Sequence, residues 1–497
     1  MLTRIDIENF RCIESACLEF DARATGIIGA NASGKTSLLE AIYFLGHGRS
    51  FRSQSRDKLL RNGADHFRIV ARLRPESAPD GAELESRRGE VGDAGEARWE
   101  RAVEGATDRL RSTPSPVPER RSWNGREDTG CLNQPSGLDE TSCAETAAEV
   151  PGESSMETWG RRVGVADDLD VVRVVADSSG DGTSGRDGQP TAWTEPVSSG
   201  GSERRALKPG SGSASVALSG REIVAGIEYI QGATRAHLAG RGVGGISEIA
   251  GALPIQVIDP GIHRLIEEGS ARRRRLMDWG VFHVKHEFLV LWRRYQRALL
   301  QRNAALRTAA PLEVVGAWDQ ELETAGSGVD ALRAAYVERL TPYFERIGTR
   351  LIGGDVRFAY RRGWPADQDL AAALQVSRPR DLRLKATQVG PHRADLAFLV
   401  DGEPARDRVS RGQQKMLAAT FILSQLAMRV ADRAPRACLM LDDPAAELDV
   451  DNLGKLLAVI ADIPAQLIVT SVHPRGLRGL GVARMFHVEQ GRFTAMV

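Results

Sequence analysis

The stretch Gly29-Ala-Asn-Ala-Ser-Gly-Lys-Thr36 decides the fold of this chain. It fits G-x-x-x-x-G-K-[ST], the glycine-rich loop that holds the phosphates of a nucleotide. The apolar run Thr25–Gly29 precedes the motif, and Ser37–Leu45 follows it with apolar residues at helical spacing. A chance glycine-rich turn would lack this order of strand, loop and helix. The sequence therefore predicts an α/β fold that binds ATP or GTP.

Each part of this loop has a chemical role. The glycines let backbone N–H groups turn toward the phosphates, and the following helix adds the positive end of its dipole. Lys35 is predicted to contact the β- and γ-phosphates during catalysis, and the Thr36 hydroxyl to hold Mg²⁺. The predicted nucleotide-binding residues of the loop are Gly29, Ala30, Asn31, Ala32, Ser33, Gly34, Lys35, Thr36 and Ser37.

A second half of the site is predicted near the end of the sequence. The apolar run that starts at Ala437 ends in two carboxylates, Asp442 and Asp443. Asp442 is expected to hold Mg²⁺ through water, and Asp443 to orient or deprotonate the attacking water. Another buried strand, Gln466–Val472, leads to His473, which is either a sensor of the γ-phosphate or an ordinary loop histidine.

Composition limits the class of protein. The sequence contains no apolar run long enough to cross a membrane and no leader segment. Its five cysteines show no metal-ligand spacing, which favours a reducing compartment. We therefore expect a cytoplasmic protein without a membrane partner.

Charge is unevenly distributed although the net charge is +0. Residues 76–220 contain 16 Lys+Arg against 27 Asp+Glu, and the remainder contains 50 against 39. The excess of basic residues outside 76–220 is what binding to DNA phosphates requires, although a surface that is only solvated has the same composition. The acidic block has no Phe, Ile or Tyr and is predicted to be mostly disordered. It would either compete with DNA as a tethered polyanion or be a tolerated surface insertion.

Two groups of arginines are candidates for ligand contacts. Arg11 follows the predicted edge strand Leu2–Phe10 and would lie near the nucleotide or on the surface. A helical region is expected from His263 to Leu351. Within it Arg293, Arg294, Arg297 and Arg302 form either a DNA-facing strip or a solvated helix face.

Between the two halves of the site, Ser410-Arg-Gly-Gln413 opens a predicted helix. It resembles the signature motif of ABC-type ATPases, and Glu447-Leu-Asp449 resembles their D-loop. The resemblance implies that Ser410, Gly412 and Gln413 of one subunit contact the ATP held by another. ATP binding would then join two subunits, and hydrolysis would separate them.

Several stretches resemble the RecF family of bacterial recombination mediators. The resemblance covers residues 1–75 and 222–497 and implies a head domain like that of Rad50 and SMC proteins. It also implies an ATP-dependent homodimer on DNA, weak DNA-stimulated ATP hydrolysis, and help to RecR and RecO in loading RecA at single-strand gaps. The stretches are Asn9–Arg11, Gly46–Arg52, Asp278–Val284, Leu291–Leu299, Gly390–Leu396, Ser410–Lys415 and Phe486–Gly491.

The expected organisation is an ABC-type ATPase head with a mixed sheet, a helical second domain and an acidic insertion. Head segments are predicted at 1–75, 221–262 and 353–497, the insertion at 76–220 and the helical domain at 263–352. A transporter subunit would lack the helical region, an SMC clamp would need long heptad repeats, and a related nuclease would need a second acidic cluster.

The sequence also departs from the family at Ala32, at Ala446 and in the acidic block at 76–220, which is the largest departure. Ala32 and Ala446 replace a glycine and a serine that are usual there, which could slow turnover. Gln54 follows Lys35 too closely to act convincingly as the Q-loop glutamine.

Overall fold

Two six-stranded sheets, a three-stranded sheet and a group of helices make up the described part of the chain. The computed structural model describes residues 1–53, 55–74 and 222–496. The predicted insertion at 76–220 and Gln54 lie outside the described residues. The described residues all belong to one compact unit, in which the longest helix, Asp319–Leu351, packs on the signature helix Arg411–Ala431.

The strands are, in chain order, β1 Leu2–Phe10, β2 Ile13–Glu19, β3 Ala24–Ile28, β4 His66–Leu73, β5 Ile223–Ile230, β6 Ala233–Leu238, β7 Arg241–Gly242, β8 Ile255–Ile258, β9 Val356–Arg361, β10 Asp395–Val400, β11 Glu403–Pro404, β12 Cys438–Asp442, β13 Gln466–Ser471, β14 Arg484–Glu489 and β15 Arg492–Met496. The α-helices are Lys35–His47, Ser247–Ala252, Arg264–Glu267, Ser270–Val284, Glu287–Arg307, Leu312–Gly316, Asp319–Leu351, Leu370–Leu384, Ala405–Arg408, Arg411–Ala431, Pro444–Glu447 and Val450–Ala461.

The central sheet has the strand order β15-β14-β3-β13-β12-β8. All neighbouring pairs are parallel except β14 with β15. Strands β3, β12 and β13 are buried at every residue, as parallel strands covered on both faces must be. Because the strands are parallel, the segments that follow β3, β13, β12 and β8 leave the sheet at one edge.

A second sheet, ordered β2-β1-β4-β5-β6-β7, is antiparallel. Its strands β4 and β5 pair without a shift from His66↔Ile230 to Leu73↔Ile223. They form the two arms of a hairpin, and residues 75–221 connect them at the end where β1 starts.

The helical region predicted at His263–Leu351 is confirmed, and Asp319–Leu351 also packs against Glu287–Arg307. The sequence interpretation missed the helix Leu370–Leu384, which contains Pro379 and only a narrow buried face. No helix of the described residues is both long and apolar enough to traverse a lipid bilayer.

The expectation that all four arginines lie on an exposed face is wrong for Arg302, whereas Arg293, Arg294 and Arg297 are exposed. Arg302 is fully buried and donates to the carboxylates of Asp319 and Asp381, each at 2.7 Å. Arg294 is exposed but forms a bidentate pair with Glu321 at 2.8 and 2.9 Å. Arg302 follows the buried Leu299 by three residues and so lies on the buried face of this helix, which the grouping with the exposed arginines overlooked.

Candidate nucleotide site

The glycine loop connects the carboxyl end of β3 to the helix Lys35–His47. A Cβ atom on Gly29 would lie 2.4 Å from the Val488 carbonyl oxygen, so only glycine fits at this position. Gly34 has φ 114° and therefore also needs the freedom of glycine. The Gly491 N–H donates to the Ser33 carbonyl at 2.7 Å and fixes the loop from outside.

Lys35 and Ser33 fit a phosphate ligand. The Lys35 ammonium donates to the carbonyl oxygens of Gly29 and Ala30 at 2.7 and 2.9 Å, so it lies directly over the loop. Burial lowers the pKa of Lys35, whereas the nearby carboxylate of Asp443 opposes this shift. The buried Ser33 Oγ has no hydrogen-bond partner among the described residues. A buried hydroxyl without a partner is costly, and a phosphate oxygen would satisfy it.

The predicted metal-binding residues are in contact although 406 positions separate them. Thr36 Oγ1 lies 3.1 and 3.0 Å from the two carboxylate oxygens of Asp442. Thr470 on β13 donates to Asp442 at 2.8 Å and accepts the Asp443 N–H at 3.0 Å. Hydroxyl and carboxylate oxygens are the ligands that Mg²⁺ prefers, so Thr36 and Asp442 fit this cation.

Asp443 occupies an unusual backbone position at the same edge. Its φ of 47° is left-handed, which is uncommon for a residue other than glycine. Burial raises the pKa of this carboxyl, and the Lys35 ammonium partly opposes the increase. A carboxylate with a raised pKa next to the phosphate loop suits a general base.

The signature residues lie at the exposed start of the helix Arg411–Ala431. Ser410 accepts the Gln413 N–H at 3.3 Å, and the Gln413 side chain accepts the Ser410 N–H at 2.9 Å. This reciprocal pair is a capping box. Ser410 and Gln413 are exposed and Gly412 is half-buried, so this helix end can be reached by a second molecule.

The D-loop and His473 lie at the same edge of the central sheet. Asp449 accepts the Asn452 N–H at 2.8 Å and caps the helix Val450–Ala461, whose first residue is 86% exposed. His473 is exposed and follows β13 directly; its N–H donates to Ser471 Oγ at 3.3 Å. The role of His473 as a sensor of the γ-phosphate stays a prediction.

Arg11 binds a carboxylate that the sequence interpretation did not single out. Its guanidinium donates to the two carboxylate oxygens of Glu40 at 2.7 and 2.9 Å. Glu40 belongs to the helix that follows the glycine loop, so Arg11 is connected to the nucleotide site through this helix. Its predicted contact with the nucleotide stays a prediction.

Comparison with known proteins identifies the family. The family model described as RecF/RecN/SMC N terminal domain matches residues 1–87. The DNA replication and repair protein RecF of Thioalkalivibrio sulfidiphilus is 36% identical over 269 residues, which cover 54% of this chain and 75% of that protein. The chain belongs to the RecF family. RecF of Shewanella amazonensis is 29% identical over 497 residues, with 99% of both chains covered.

A solved structure confirms the fold. The structure of the recombination mediator protein RecF-ATP in the RecFOR pathway superposes with a TM-score of 0.65 at 18% identity, covering 100% of this chain and 97% of that one. The predicted fold class, a mixed sheet with helices, is therefore confirmed.

Within the RecF family, Ala32 is the departure with a structural consequence. It is exposed in the glycine loop at φ 62°, a left-handed conformation that a Cβ atom disfavours. Ala446 donates its N–H to the Asp443 carbonyl at 3.1 Å, and the structure shows no strain there.

Sequence reasoning missed Glu40 and Thr470. Both are fully buried polar residues within elements whose other residues are mostly apolar. A buried polar residue in such an element is a signal for function or for a hydrogen-bond network, and it could have drawn attention to both.

Proposed function

We propose that this chain is an ATP-dependent, DNA-binding recombination mediator. It dimerises on DNA at single-strand gaps and, with RecR and RecO, helps to load RecA in DNA repair and replication restart. Its enzymatic activity is a weak, DNA-stimulated ATP hydrolysis in the cytoplasm. ATP and Mg²⁺ are its cofactors.

The contact between Thr36 and Asp442 carries the nucleotide half of this proposal. Two motifs from opposite ends of the sequence meet at one edge of a parallel sheet, which is where α/β folds bind ligands. The similarity to proteins named for DNA replication and repair supports the DNA half. The excess of basic residues outside 76–220 supports it as well, since Lys and Arg neutralise DNA phosphates.

Each residue of the nucleotide site has a separate role in the proposed reaction. Lys35 exchanges its bonds to the loop carbonyls for phosphate oxygens and neutralises their charge. Thr36 and Asp442 would hold Mg²⁺, which when bound would neutralise further phosphate charge. Asp443 orients and deprotonates the attacking water, while His473 contacts the γ-phosphate. Ser410 and the Gly412 N–H act on the nucleotide of a second copy, because they lie at a helix N-terminus open to a partner.

The alternative is an ABC-type ATPase that does not act on DNA gaps, such as a transporter-type subunit or an SMC-like clamp. Sedimentation velocity with ATP and Mg²⁺, with and without gapped duplex DNA, separates the two. Lys35→Ala is the test variant, and Lys285→Ala removes an exposed lysine outside the site as the matched control.

The proposal expects a dimer that forms with ATP, is strengthened by gapped DNA, is lost in Lys35→Ala and persists in Lys285→Ala. A chain that binds ATP but ignores DNA would favour the alternative. A chain that binds neither would overturn the nucleotide site as well.

A further inference from the structure

Glu40 is a fully buried carboxylate beside the nucleotide loop, with an exposed fraction of 0%. It lies one helical turn after Thr36, so the two side chains share a face of the helix Lys35–His47. A buried charge is costly unless it is paired and hydrogen-bonded. The partners of Glu40 therefore show what it stabilises.

Three side chains from two separate segments meet Glu40. Arg11, directly after β1, binds both carboxylate oxygens. Ser50 donates its hydroxyl to Oε1, and the Arg52 guanidinium lies 3.8 Å from Oε2. The Arg52 side chain is 51% exposed, so it reaches from the buried carboxylate to the surface.

Ser50 also determines the shape of the loop that carries Arg52. Its Oγ accepts the N–H groups of Arg52 and Ser53 at 2.9 and 2.8 Å. On the opposite side, Arg11 donates to the Lys58 carbonyl at 2.7 Å. One carboxylate thus fixes the end of β1, the nucleotide-loop helix and an arginine-bearing surface loop relative to each other.

We propose that Glu40 is a positioning residue that couples DNA phosphates bound at Arg52 to the nucleotide site. This inference rests on the proposed function, because it supplies the route by which DNA stimulates ATP hydrolysis. A phosphate bound by Arg52 withdraws the guanidinium from Glu40 and changes the charge balance around Arg11 and the helix that carries Lys35 and Thr36.

The distances favour such an exchange at Arg52 rather than at Arg11. A separation of 3.8 Å exceeds a hydrogen bond, so Arg52 can turn to a phosphate without breaking one. Arg11 holds Glu40 through two short charge-assisted bonds and remains in place. A phosphate at Arg52 therefore alters one of the two cations at Glu40 and leaves the other to transmit the change.

The test is the ratio of ATP hydrolysis with saturating gapped duplex DNA to hydrolysis without DNA. Saturation removes any effect of weaker DNA binding. Arg52→Ala should lower this ratio by roughly fivefold or more, the usual lower bound of a coupling between sites. Arg52→Lys, which keeps a cation, should restore part of it. Arg61→Ala is the matched control, since Arg61 is similarly exposed and pairs with Glu14 instead.

Two variants address Glu40 itself. Glu40→Gln removes the charge and should lower the ratio as Arg52→Ala does. Ser50→Ala keeps the carboxylate but releases the loop, and it provides the same test if Glu40→Gln does not fold. Both are compared for kcat and for KM of ATP, because a coupling defect lowers DNA-stimulated kcat while KM without DNA stays unchanged.

If Arg52→Ala and Ser50→Ala keep the same ratio of hydrolysis with DNA to hydrolysis without DNA as the native chain, the inference is overturned. The proposed function is then left intact. A native chain whose hydrolysis ignores DNA would overturn both. An equal loss in Arg61→Ala would show a general effect of surface charge and would also overturn the inference.

Discussion

Replacing Ala32 by glycine should stabilise the protein. Ala32 is exposed, so its methyl group contributes little packing, and its φ of 62° lies in the left-handed region. Glycine adopts this conformation without a steric penalty. The substitution therefore removes strain without removing a contact.

The magnitude follows from two opposing contributions. A residue with a Cβ atom pays about 1–2 kcal/mol in the left-handed conformation. Glycine also lowers the free energy of unfolding by about 0.4–1 kcal/mol, because it gives the unfolded chain more conformational freedom. The net gain is about 0.5–1 kcal/mol in the free energy of unfolding, which corresponds to roughly 0.5–1 °C in Tm for a chain of this size.

The neighbouring Ala30 provides a control of opposite sign. It is also an exposed alanine of the loop, but its φ is not positive. Ala30→Gly should therefore lower the free energy of unfolding by about 0.4–1 kcal/mol. Thermal unfolding of both variants beside the native chain measures the difference. If Ala32→Gly lowered Tm as much as Ala30→Gly does, strain at position 32 would be refuted.

Three further outcomes are expected. Gly29→Ala should cost about 1–3 kcal/mol of unfolding free energy and weaken nucleotide binding, because its Cβ meets a backbone carbonyl. Gly244 has open space around it, so Gly244→Ala should be nearly neutral. Arg302→Ala should cost about 3–5 kcal/mol, because it removes the cation that pairs with the buried carboxylate of Asp381. Arg293→Ala at the surface should change urea unfolding little. Burial lowers the pKa of His392 to about 3 from 6.5, so the folded protein excludes a proton that the unfolded chain accepts. The stability from this histidine is complete above pH 6.5 and falls by roughly 1.4 kcal/mol per pH unit below it. The difference in the free energy of urea unfolding between the native chain and His392→Asn should therefore shrink from pH 7.5 to pH 5.5.

Local patterns allowed much of the site to be predicted. The glycine loop, the carboxylates after β12 and the start of the signature helix each depend on a few consecutive residues. The helix after the loop begins at Lys35 rather than at the predicted Ser37, because Gly34 completes the turn and no apolar residue marks the first two positions. This boundary shifted by two residues, while the type of the element was confirmed.

Interactions between distant segments could not be predicted from such patterns. In the sequence, Glu40 is a single acidic residue within a mostly apolar helix, and its partner Arg11 lies outside that helix. Arg302 lies seven residues after Tyr295 and three after Leu299, on the buried face of its helix, so spacing could have indicated its burial but not its partner Asp381. In both cases the partner of a buried charge decides its role, and spacing along the chain carries no information about that partner.

The connection 75–221 joins β4 to β5 at the end of their sheet that is away from Arg11 and Glu40. The site uses β3 from before this connection and β12 and β13 from after it, so β4 and β5 must pair correctly across it. Their register is continuous up to Leu73↔Ile223, at the end of the sheet where β1 starts. Arg11 and Glu40 lie beyond the other end of β1. Since the cost of closing a loop grows only slowly with its length, this connection can vary without moving the residues that bind the nucleotide.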